Sequence, residues 1–90
     1  QFNYSIVQSI KINPNPVINN LNIALTLLEN SNILCKIYNI DGREVKSLTA
    51  DALAGKNNIV SDVSGLAKGN YIVVIISKNE RVAETKFIKQ

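Results

Sequence analysis

Along most of its length the chain alternates apolar and polar residues. Leu21, Ile23, Leu25 and Leu27 take every second position against Asn22, Ala24 and Thr26, the two-residue period of a strand with one buried face. Ile33, Cys35 and Ile37 alternate in the same way with Leu34, Lys36 and Tyr38. Near the start Phe2, Tyr4, Ile6, Ile10 and Ile12 keep the even positions apolar, while Val7 and Gln8 break the pattern. A strand is therefore predicted over 8–13, with the residues before it a tail or an extension of that strand. Further strands are predicted over 43–48, 58–63, 70–77 and 82–89. The run from Tyr71 to Ile76 is the most apolar in the chain, and β-branched runs bounded by turn signals predict a central strand that needs cover on both faces. If Tyr71, Val73 and Ile75 face the core, Ile72, Val74 and Ile76 form an apolar outer row that needs a loop, a neighbouring domain or a partner over it.

The polar punctuation fits this pattern. Asn13-Pro14-Asn15-Pro16 stops ladder pairing, because a proline has no amide donor and biases its predecessor toward extended geometry. Asp41-Gly42, between two extended runs, predicts a hairpin of the type I′ kind, in which both central residues take positive φ. Residues 49–56 read as a looser, Ala-rich connection, and Lys78-Asn79-Glu80 as a turn. Ser64 is placed to cap a single helical turn released at Gly69, a residue that accepts positive φ. Tyr71 stands just after Gly69, an arrangement that resembles the tyrosine corner of immunoglobulin-like sandwiches; the plainer alternative is a half-buried tyrosine at a strand start. No stretch keeps a helical period, so short strands at regular spacing predict an all-β sandwich.

Composition narrows the functions. The chain has 90 residues and one cysteine, so one domain without an internal disulfide must be held by its Ile, Val and Leu core, burying about 60–65% of the unfolded surface. Cys35 sits in an alternating run and reads as core. There is no histidine, and the carboxylates Glu29, Asp41, Glu44, Asp51, Asp62, Glu80 and Glu84 are dispersed, so no metal-ligand set or nucleophile and base pair is visible and neither an enzyme nor a cofactor is expected. The net charge of +3 comes from spread lysines, which argues for a solvated surface rather than a nucleic-acid patch. Nothing approaches the ~20 apolar residues of a membrane span. The absence of methionine, even at residue 1, leads us to expect a piece of a longer protein.

Five marks then occur in order: Asn13-Pro14-Asn15-Pro16; Ile37 to Arg43, containing Asp41, Gly42 and Arg43, with Val45 after it; Ala54-Gly55-Lys56-Asn57; Asp62 to Tyr71, containing Leu66 and Gly69; and Lys86-Phe87-Ile88-Lys89. Together they resemble the type A C-terminal sorting domain of the type IX secretion system. Ile40 stands where that family more often has leucine, and Gln90 where a basic or branched residue is common. The resemblance implies an immunoglobulin-like antiparallel β-sandwich of about seven strands, carried by exported proteins of Gram-negative bacteria. It further implies recognition by the outer-membrane secretion machinery, removal by a cell-surface sortase-like cysteine peptidase acting upstream, and attachment of the cargo to the cell surface. Residues 1–9 then read as a linker from a preceding cargo domain or a strand extension, and 10–90 as the sorting domain.

A transport signal needs a fixed surface rather than chemistry. Lys86, Phe87, Ile88 and Lys89 are the candidate recognition residues, since a short terminal strand can be captured through its backbone while alternate side chains confer specificity. Phe87 would equally serve as core, because alternate side chains face opposite ways. Pro14, Pro16, Gly42 and Gly69 read as structural, and Arg43 as either a contact residue or a solvated one. The rival reading is an immunoglobulin-like binding or adhesion module for carbohydrate or protein, against which stands the shortage of aromatic platforms. No small-molecule substrate is expected.

Overall fold

The computed structural model describes residues 6–90, which form β1 (Val7–Asn13), β2 (Asn20–Leu27), β3 (Ser31–Asn39), β4 (Glu44–Ala52), β5 (Gly55–Asp62), β6 (Gly69–Ser77) and β7 (Glu80–Lys89). The Phe2 and Tyr4 positions of the first alternation lie outside the described residues. The strands make two antiparallel sheets, one in the order β1-β2-β5 and one in the order β4-β3-β6-β7. Each sheet turns its alternate apolar residues inward: Leu21, Ile23, Leu25 and Leu27 from one, and Ile33, Cys35, Ile37, Tyr71, Val73, Ile75 and Phe87 from the other. These are the residues that the two-residue period assigns to the core. Burying each large side chain contributes about 1.5–3 kcal/mol, and with Cys35 a free thiol this core replaces any disulfide.

Several local expectations are corrected. β1 begins at Val7, and the break at Val7 and Gln8 is a register shift between Val7 and Ser9 in the pairing with β2; the extra residue of a bulge restores the parity of the apolar face. The Ala-rich stretch is not a loose connection, because β4 continues through Ala50 and Ala52, paired with Ile33 and Ser31, and β5 starts at Gly55. Facing a partner strand and the core outweighs alanine's weak strand propensity. At Asp41-Gly42 only Gly42 takes positive φ, at 83°. Asn39 explains the difference: its Oδ1 accepts from the amides of Asp41 and Arg43 at 2.9 and 3.0 Å, its carbonyl accepts from Gly42 N, and its own amide donates to the Arg43 carbonyl. The pair of positive φ values that a two-residue type I′ hairpin requires occurs instead at Lys78 and Asn79, at 53° and 65°. Ser64 caps no helical turn. It donates its amide and its hydroxyl to Asp62 Oδ1, at 3.0 and 2.7 Å, a turn in which the aspartate side chain stands in for backbone.

β6 lies between β3 and β7 as a central strand should. Its outer row is less bare than expected: Val74 is only 1% exposed, although it is no part of the core cluster. Its cross-strand neighbours are Lys36 on β3 and Glu84 on β7, and the long stems of such residues shield an apolar neighbour while their charged heads stay in water. Cover therefore comes partly from the sheet itself. Strand direction then fixes the ends of the sandwich: segments 14–19, 40–43 and 63–68 and the finish of β7 meet at one end, and 28–30, 53–54 and 78–79 at the other.

Candidate functional site

The end that gathers 14–19, 40–43, 63–68 and the finish of β7 holds nearly all the marks that are dispersed in sequence. Tyr71 opens β6 there. Its hydroxyl donates to the carbonyl of Ala67 at 2.5 Å, and its ring stacks on Phe87 with centroids 5.3 Å apart. This is the corner geometry, in which a buried phenol spends its polar tip on the turn that precedes its strand. Leu66, partly buried against the core, closes that turn by donating its amide to the Val63 carbonyl. Gly69 follows with φ 151° and pairs with Lys89.

The proline-rich segment is tied to the other side of β7. Both peptide bonds before Pro14 and Pro16 are cis, and the exposed Asn15 between them accepts from the Ile88 amide through Oδ1 at 2.8 Å. Val17, fully buried, donates its amide to the Ile88 carbonyl and accepts from the Gln90 amide, both at 2.8 Å. The terminal segment is thus held between β6 and residues 15–17. Its side chains divide by parity. Phe87 is 1% and Lys89 7% exposed, the latter donating Nζ to the Gln90 carbonyl at 2.7 Å, whereas Lys86 and Ile88 face outward.

A hollow of about 570 Å³ lies on this end of the outer face, lined by Asn15, Ile40, Tyr71, Ile72, Lys86 and Ile88, with Asn70 and Phe87 completing it. It adjoins a smaller one of about 250 Å³ that shares Ile40 and Ile72 and reaches Tyr38, Arg81 and Glu84. Of the residues that the sequence singled out, Asn15, Tyr71, Lys86, Phe87 and Ile88 come together in the larger hollow. Pro14, Pro16, Asp41, Gly42, Arg43, Leu66, Gly69 and Lys89 do not line it; they lie in the loops and strand ends at the same end of the sandwich, with Gly42 lining the smaller hollow. Ile72 belongs to the apolar outer row that the sequence predicts to need cover, whereas Ile40 and Asn70 were not anticipated as site residues. For Ile40 a signal existed: a large apolar residue in a turn, here 77% exposed.

The charges on this sheet face are mostly paired. Lys36 meets Glu44 at 3.1 Å and Arg81 meets Glu84 at 3.3 Å, and the hydrogen bond and charge of Glu44 hold the Lys36 ammonium above its usual pKa. Lys86 has no carboxylate partner among the described residues. The Ser64 hydroxyl and then its amide lower the pKa of Asp62. Burial pushes the Cys35 thiol up to about 11. Among the described residues no three His, Cys, Asp or Glu side chains come together as metal ligands.

Comparison with known proteins agrees with this architecture. The profile of a family described as "Secretion system C-terminal sorting domain" matches residues 11–90. No curated protein matches the chain. Among solved structures, an immunoglobulin-like protein from Pseudomonas aeruginosa superposes with a TM-score of 0.52 at 9% identity, over 83% of this chain and 75% of that one, a likeness of fold.

Proposed function

The chain belongs to the family of secretion system C-terminal sorting domains, and from that premise we propose how its cargo is handled. As a C-terminal sorting signal of type IX secretion it engages that machinery and accompanies a secreted protein across the outer membrane. In our reading the cargo waits in the periplasm with the folded sandwich behind it, and the sandwich presents its motif-bearing end, including Lys86 to Lys89, to the outer-membrane apparatus. A sortase-like cysteine peptidase at the cell surface then cuts ahead of β1, within or before residues 1–9, and joins the cargo to the surface. The domain needs no chemistry of its own. Supporting this, Cys35 is buried with its pKa pushed to about 11, and Glu44 and Glu84 are engaged in ion pairs.

The single observation that carries the proposal is that one family profile spans both sheets while four of the five dispersed marks, all but Ala54 to Asn57, meet at one end of them. Residues 1–90 fused behind a periplasmic reporter, in a bacterium with the type IX machinery, should deliver the reporter to the cell surface, cut ahead of β1 and lacking the domain. A reporter that stays uncut in the periplasm would refute this reading and favour a binding module.

A further inference from the structure

Strand addition to the finish of β7 is obstructed. The Ile88 amide, the Ile88 carbonyl and the Gln90 amide, which a captured terminal strand would offer to a partner, are bonded to Asn15 and Val17. A partner would have to break all three before gaining any ladder of its own. What the terminal segment leaves accessible is its outward side chains. Ile88, 45% exposed, and Ile40, 77% exposed, stand at the hollow that Ile72 helps to line. Lys86 stands there as well, and the charge pattern makes it the odd member of the face. Glu44 and Glu84 are taken by Lys36 and Arg81, and Asp41 does not line the hollow. Apolar walls with one uncompensated cation at the rim complement an apolar side chain beside a carboxylate.

We propose that this hollow is where the secretion machinery reads the domain, by inserting an apolar side chain flanked by an acidic one from an extended segment or loop. The proposal rests on the sorting reading and states its chemistry: outward side chains of β6, β7 and the 40–43 loop are read, and the backbone edge of β7 is not. A second copy of the chain is a poor occupant, because a two-fold contact over the hollow would set Lys86 against Lys86.

The test is surface delivery of the reporter fusion by Ile40→Asp, Ile88→Asp and Lys86→Glu, with Lys86→Arg as the conservative change. Leu28→Asp and Leu53→Asp serve as controls, at residues 64% and 63% exposed at the opposite end. All are checked by thermal melting of the purified fusion. We expect delivery to fall at least tenfold, on the order of the loss of one buried apolar or charged contact, for the three hollow variants at unchanged melting temperature. Both controls should deliver like the parent, and Lys86→Arg, which keeps the charge, should deliver more than Lys86→Glu. Three results would overturn the proposal: parental delivery by Ile40→Asp and Lys86→Glu, an equal loss in the controls, or a dimer in sedimentation that Ile40→Asp dissolves without harming delivery. A parent fusion that never reaches the surface overturns the sorting reading and this proposal together, whereas failure of the variant pattern with a delivered parent overturns this proposal alone.

Discussion

The two ends of the sandwich expose similar apolar residues yet are built differently. At the end of 28–30, 53–54 and 78–79 the connections are short and are fastened largely by side chains: Lys78-Asn79 turns β6 directly into β7, Asn57 satisfies Leu53 through its amide oxygen and nitrogen, Asn30 accepts from the Ala54 amide, and Ser31 bonds Ser77. At the motif end, local bonds such as Tyr71 to Ala67 are joined by bonds, mostly to backbone, that span up to 73 positions. Asn15 reaches Ile88, Val17 reaches Ile88 and Gln90, and Val63 donates to Asn19. Local turns can form wherever their own residues permit, but a surface fixed by long-range bonds exists only in the finished fold. An end fastened in the second way presents one defined shape, and four of the five marks lie there, all but Ala54 to Asn57.

The comparison breaks most plainly at Phe87. Truncating this buried ring, stacked on Tyr71, should cost about 3–5 kcal/mol as a cavity in the core, whereas Leu53→Ala at the other end should stay within about 0.5 kcal/mol. Urea midpoints of the two variants decide it; equal midpoints would mean that the motif end is no better anchored than the opposite one. A smaller effect is expected at the corner. Tyr71→Phe keeps the stack and removes the bond to Ala67, and should cost about 0.5–1.5 kcal/mol, read as a shift in midpoint without a change of slope. An unshifted midpoint would show that the phenol does not fasten the 63–68 loop.

The smallest effect sharpens the picture through pH. The folded-state pKa of Asp62 lies below its ordinary 3.8, chiefly because of the Ser64 hydroxyl. In that window the unfolded chain binds the proton more readily, so stability rises with pH. The contribution is present above about pH 4 and is lost as the pH falls through the lowered value. Asp62 is solvent-exposed, so the difference is slight. Acid titration of stability should be shallower in Asp62→Asn than in the parent, and identical curves would dismiss the turn as a source of anchoring.

Much of the sandwich was legible because one-sided burial writes itself as alternation: β2, β3 and β6 follow directly from Leu21 to Leu27, Ile33 to Ile37 and Tyr71 to Ile75. The second half of β4 was not, since Ala50 and Ala52 favour helix in isolation and become strand only against Ile33 and Ser31. The turn at Asp41-Gly42 misled because its geometry is set by the Asn39 side chain, a residue just outside the dipeptide. For the candidate site, the sequence offered Lys86 to Lys89 as one strip. Parity divides that strip, and the neighbours that complete the hollow, Ile40 and Ile72, are brought to it by register between strands. Asn15 is the instructive case, visible as part of a proline-rich stop but bonded to a residue 73 positions away, a relation no local pattern encodes.

The clasp of Val17 on Ile88 and Gln90 also bears on the order in which the chain is made. The amino-terminal partners of these bonds are synthesised early and must wait for residues 88–90, which leave the ribosome last among those that build the motif end. A chain broken off before Ile88 lacks every one of these contacts, however well its earlier strands pair. The clasp therefore closes only once residues 88–90 have been made: the shape of the motif end is assembled only on chains already read through all seven strands.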